Sequence, residues 1–131
     1  MAEFGRQEMV PGYKANSAYN GLGSLRYIAV AHVGAYQAAG ATSANSSTIL
    51  GVMQNDPAIG EAMSIAYAGP SKVIAGGALT AGAIITTNGS GRMAVITSGQ
   101  MAMGRLLETA AADGDVVGAL LFHPVRWGQV A

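Results

Sequence analysis

Hydrophobic positions along this chain recur mostly at the two-residue spacing of extended strands, and the strongest such pattern runs from Val73 to Ile96, VIAGGALTAGAIITTNGSGRMAVI. Two β-rich runs, Val73 to Ala75 and Ala83 to Thr87, flank GGALTAG, and Asn88-Gly89 then leads into Arg92 to Ile96. Asn-Gly between alternating β-formers predicts a tight hairpin, because both residues tolerate the positive φ that a twisted turn requires. The glycines of AGGALTAG argue against a helix interior, where each costs about 1 kcal/mol relative to alanine. The stretch reads as a closely packed corner of a small β-barrel.

Upstream, Met1 to Ser24 shows no sustained period and reads as an arm anchored by Met9, Val10, Tyr13, Tyr19 and Leu22. Such an arm either orders against a partner or folds back on its own domain. Leu25 to Val33 predicts a strand with Tyr27, Ala29, Ala31 and Val33 on one face and Ile28, Val30 and His32 on the other. Neither face is polar, so both are expected to be covered. Gly34 to Thr48 reads as a long loop with, at most, a short helical turn over Ala35 to Ala39. Ile49 to Gln54 and Glu61 to Tyr67 read as strands separated by an Asn55-Asp56-Pro57 turn, and Ala68-Gly69-Pro70-Ser71 reads as a turn into Val73.

Downstream, Met101 to Ala112 fits a strand better than a helix, since Gly104 and its short length weaken the Leu106, Leu107, Ala110, Ala111 stripe. Asp113-Gly114-Asp115 predicts a turn into Val116 to Phe122, and Pro124, lacking a ladder donor, is expected to close that strand. No repeat or linker divides the chain. The expected organisation is therefore an N-terminal arm, residues 1–24, and a single mainly β domain, residues 25–131, built as a small β-barrel or β-tulip with little helix.

Charged residues make up 11% of the 131-residue chain, against about 25% in ordinary soluble domains, so much of the surface is uncharged and suited to being covered by copies of itself or a larger partner. The formal charge is zero and the Lys and Arg residues are scattered singly, which argues against direct binding of nucleic acid. The absence of cysteine excludes disulfides, thiol nucleophiles and thiolate metal sites. The opening MAEFGRQEMVPG lacks the pattern of a secretory signal, and no apolar run reaches the roughly 18 residues that span a bilayer. A soluble, cytoplasm-like setting without membrane attachment is expected.

Catalytic groupings are thin. His32 and His123 carry no partner at metal-ligand spacing, Asp113 and Asp115 are explained by the turn they flank, and Glu61 and Glu108 stand alone. Gly89 to Ala94 spells G-x-G-x-x-A but opens a predicted strand, whereas a dinucleotide loop must open a helix. No serine stands in a G-x-S-x-G elbow. Met53, Met63, Met93, Met101 and Met103 read as fillers of core or interface. The expectation is a protein that is not an enzyme and needs no cofactor or metal. An enzyme assembled from distant residues would use His123 with Asp113 or Asp115. A small binding module, for carbohydrate for example, would show a row of exposed aromatics, and Tyr13, Tyr19, Tyr27, Tyr36 and Tyr67 share no face legible in the sequence.

The succession GVMQNDP, a short strand, KVIAGGALTAGAIITTNGSGRMAVI and then GRLLETAAADGDVVGALLFHP resembles the capsid cement, or head decoration, proteins of tailed bacteriophages over Ile49 to Pro124. The resemblance implies a structural protein of the virion, made in the host cytoplasm and bound to the outer surface of the capsid. There it would bridge and stabilise subunits of the major capsid protein as a homo-oligomer, a trimer in preference to a dimer. The family brings no catalytic motif. Contacts with the shell or a sister subunit are expected from the arm, through Val10, Tyr13, Tyr19 and Leu22, and from Trp127, an aromatic anchor beside Arg126. Deleting Met1 to Ser24 is expected to weaken capsid binding while leaving the domain folded.

Overall fold

Every element of the computed structural model, which describes residues 7–15, 26–41, 48–55, 57–58 and 60–127, is a β-strand. The strands are β1 (Glu8–Val10), β2 (Lys14–Ala15), β3 (Ala29–Gly34), β4 (Gln37–Gly40), β5 (Ile49–Met53), β6 (Ile65–Ile74), β7 (Ile84–Thr87), β8 (Met93–Val95), β9 (Met101–Leu106) and β10 (Val116–Arg126). The mainly β expectation holds. The barrel does not: the order β2-β4-β3-β5-β6-β10-β9-β7-β8, with β1 also on β6, is an open path. A lone bridge between Ala75 and Met93 brings the chain just after β6 against β8, but no ladder extends it.

The path stays open because β6 serves two sheets in turn. Its first half lies between β1 and β5, with both Met9 and Val52 opposite Ala66. Its second half pairs with β10, from Gly69 opposite Leu121 to Ile74 opposite Val116. At the changeover Gly69 has φ of 95°, a conformation that side-chain-bearing residues rarely adopt, and it bends the strand from one sheet into the next. The predicted turn at Ala68 to Ser71 is thus the middle of the second longest strand. Its turn chemistry is used for a bend, and Pro70, whose carbonyl accepts from Gln7 Nε2 at 2.9 Å, lies within the ladder.

Three further expectations change in detail. The hairpin of β7 and β8 is present, with Thr87 opposite Met93. Its loop, however, is a three-residue one, closed by Asn88 N–H donating to Arg92 O at 2.7 Å, and the positive φ of 80° falls on Gly91 rather than on Asn88 or Gly89. Asn88 contributes through its side chain, whose Oδ1 accepts the backbone N–H groups of Ser90 and Arg92. The supposed loop after Gly34 holds β4, antiparallel to β3 across Ala35-Tyr36, so there is no helical turn at that place. Pro124 does not end the last strand. It sits where the β9–β10 register shifts between Leu121 and Val125, an irregularity that spares the ladder its missing donor, and β10 runs on to Arg126. Met101–Leu106 is the expected strand, antiparallel to β10.

Two apolar clusters lie along these sheets. The larger gathers Ala29, Ala31, Val52, Val73, Ile85 and Leu121 with their neighbours, and the smaller joins Ile28, Val30, Met53, Met63 and Ile65. The two faces of β3 therefore feed different cores, as its doubly apolar pattern requires. Val10, Tyr13, Leu50 and Ile74 pack against the smaller cluster, so the described part of the N-terminal stretch is woven into the sheet. All five methionines singled out in the sequence are buried.

The ion pair between Arg92 and Asp113, 2.8 Å long, joins the hairpin loop to the turn before β10, with the two side chains 38% and 62% exposed. Solvent screening at such exposure leaves little net gain. Arg92→Ala is expected to cost less than about 1 kcal/mol in urea denaturation.

Candidate binding groove

The open end of the smaller core is a groove of about 570 Å³. It forms where the apolar faces of β3 and β6 run out in amphipathic side chains. Val30 is followed on its face by His32, and Ile65 on its face by Tyr67, so each face ends in a ring with an apolar body and a polar edge. Met9, Val10 and Pro11, Ile49 and Leu50 of β5, and His123 and Pro124 of β10 complete the groove's lining with Thr48. Among the described residues no wall residue is an Asp, Glu, Lys or Arg.

Two tyrosine–histidine pairs line this space. Tyr13 Oη lies 2.8 Å from His32 Nδ1, and their rings meet edge to face at 5.9 Å. Tyr67 and His123 meet in the same manner at 5.8 Å. His123 Nδ1 donates to the Pro124 carbonyl at 3.2 Å, which makes Nε2 the acceptor of the neutral ring. Tyr36, at the tip of the β3–β4 hairpin, adds its ring to that of Tyr13 at 6.0 Å and extends the aromatic wall beyond the groove.

Of the residues expected to make contacts, Val10 and Tyr13 line the groove, whereas Tyr19 and Leu22 lie outside the described residues. Trp127 is 41% exposed and belongs to another place: its N–H donates to Gln100 O at 2.8 Å, and its carbonyl accepts from Gly99 N–H. The tyrosines also differ from the sequence reading, since Tyr13, Tyr36 and Tyr67 do converge. His32 and His123, read from the sequence as histidines without a metal or acidic partner, line the groove together with Tyr67. Their one local signal is a polar-edged ring closing an otherwise apolar strand face.

Other candidate chemistry is committed elsewhere. Asp113 holds Arg92, and Asp115 Oδ2 accepts the N–H groups of Ala111 and Ala112, so neither serves His123. Glu108 Oε1 accepts Gly118 N–H, and Glu61 Oε1 accepts Ala58 N–H. Among the described residues no three His, Asp or Glu side chains are grouped to hold a metal ion. A second depression of about 400 Å³ lies beside Gln7, Gln54 and Ser71. Gln7 Nε2 donates to Gln54 Oε1 and Pro70 O, and Gln54 Nε2 to Ser71 Oγ, a clasp over the bend of β6. Outward on β10 and just beyond β9, Val116, Leu120 and Leu107 are about half exposed and form a strip bordered by Lys72, opposite Gly118, and Arg105, opposite Leu120.

No family model and no curated protein matches the chain. Among solved structures it is similar to the N base of head fiber gp8.5 in bacteriophage phi29, with 20% identity, 87% of this chain and 94% of that chain covered, and a TM-score of 0.63. At that identity the two share a fold.

Proposed function

We propose that this protein is a structural component of a bacteriophage head, bound to the outer surface of the capsid as a homo-oligomer that bridges and stabilises major capsid protein subunits. The observation that carries the reading is the fold shared with the base of a phage head fiber over 87% of the chain. The resemblance of Ile49 to Pro124 to head decoration proteins, which rests on the order of sequence words, supports a role at the phage head as well. The role is non-enzymatic, and a trimer is the preferred oligomer.

The surface chemistry supports such a role. Low charge leaves binding to shape and apolar contact, and the strip of Val116, Leu120 and Leu107 is a face for a sister subunit. Each subunit needs only modest affinity, because an oligomer that engages several shell sites gains through effective concentration. Light-scattering mass combined with co-sedimentation on expanded and unexpanded heads tests oligomer and partner together. The expected result is a trimer that pellets with expanded heads. A monomer that stays in the supernatant with both kinds of head would overturn the reading.

A further inference from the structure

We propose that the groove framed by Tyr13, His32, Tyr67 and His123 binds a neutral oligosaccharide. Among the described residues its walls carry no Asp, Glu, Lys or Arg, so apart from the imidazoles of His32 and His123 a charged ligand would lose hydration without gaining a countercharge. They offer instead ring surfaces and proline, which suit the apolar C–H faces of a sugar ring, next to side-chain groups that suit its hydroxyls. Tyr67 Oη makes no hydrogen bond among the described residues, and His123 presents Nε2 as an acceptor. Sugar hydroxyls both donate and accept, and match such a mixed set. Tyr13 is fixed in advance by its bond to His32, which lowers the ordering cost of binding.

An independent feature sets the length of the ligand. Tyr36 is 68% exposed and has φ of 53°, a left-handed conformation that is rare for a bulky residue and that burial does not repay. Glycine or asparagine would suit the turn better. The Tyr36 ring meets that of Tyr13 just outside the groove lining, so a ligand that touches both is longer than one sugar ring. A proline-rich peptide also docks on aromatic walls and is the competing occupant that the titration below distinguishes.

The isolated protein tests this without any capsid, so the outcome is separate from that of head binding. The full chain is applied to an array of neutral, sialylated and sulfated oligosaccharides, and maltohexaose, cellohexaose and chitohexaose are titrated by calorimetry with a proline-rich peptide in parallel. The expected result is binding to a neutral oligosaccharide, no gain from added negative charge, and loss of about tenfold or more in affinity with Tyr67→Ala or His123→Ala. Tyr36→Gly separates contact from folding: affinity falls while the melting temperature is unchanged or raised. Silence across the neutral glycans at millimolar concentration would refute the proposal. So would preference for the peptide, or sugar binding that survives both Tyr67→Ala and Tyr36→Gly.

Discussion

Gly104→Ala is expected to lower the stability of this domain by about 2–3 kcal/mol, near the upper end for an overpacked core. Gly104 lies in β9 opposite Leu121, and a Cβ built on it falls 2.5 Å from the carbonyl oxygen of Leu120 and 3.1 Å from Leu121 Cα. Both are backbone atoms of β10, so no rotamer change relieves the clash; the strands must separate. The neighbours on this ladder are core residues, with Leu106 opposite Ala119, so the displacement spreads into the larger cluster. Gly77→Ala is the control, because no atom lies within 4 Å of its built Cβ and its φ is unexceptional. Parallel urea denaturation of the two variants checks the expectation. A Gly104→Ala midpoint equal to that of Gly77→Ala would show that β9 and β10 are not packed this closely.

Removing residues 1–15 is expected to have the larger structural effect, a loss of roughly 3–5 kcal/mol, taking about 1.5–3 kcal/mol for each large apolar side chain buried and less for a partly buried one. The truncation strips β1 from β6 and β2 from β4, together with Val10 and Tyr13 from the smaller core and the buried Ala15. It also deletes Gln7, the donor to Pro70 O and Gln54 Oε1 at the bend. Treating Met1 to Ser24 as an arm implies that the domain survives its loss; the packing of residues 8–15 gives the opposite expectation. Thermal unfolding of the truncated chain, followed by near-ultraviolet circular dichroism, distinguishes the two. An unchanged melting temperature would restore the arm as a separable unit.

What the sequence made legible depended on whether a structural decision was local. The β7–β8 hairpin, the strand character of Met101–Leu106 and the doubly covered β3 all follow from alternation and from turn residues close at hand. β4, whose residues are Gln37, Ala38, Ala39 and Gly40, carries no alternation, and it is a strand because β3 and β2 supply partners on its two edges. Gly69-Pro70 and Pro124 are chain breakers by local chemistry, yet both lie within strands, because the fold uses one as a bend and the other at a register shift. The groove was illegible for the same reason on a larger scale. Tyr13, His32, Tyr67 and His123 come from four distant parts of the chain, so no spacing relates them, and they are gathered by the pairing of β3 with β5, β5 with β6 and β6 with β10, with Tyr13 laid against His32.

The bend at Gly69 also governs how the chain reaches this state. β6 must recruit β1 from more than fifty residues upstream to complete the sheet on its first half, and β10 from more than forty downstream to complete the sheet on its second. The closure entropy of those long loops comes before most of the reward, which places the domain among the slow, non-local folders. Because one strand is shared by both sheets, loss of either sheet removes a partner from the other, and the two are expected to unfold in one transition with β6 at its centre.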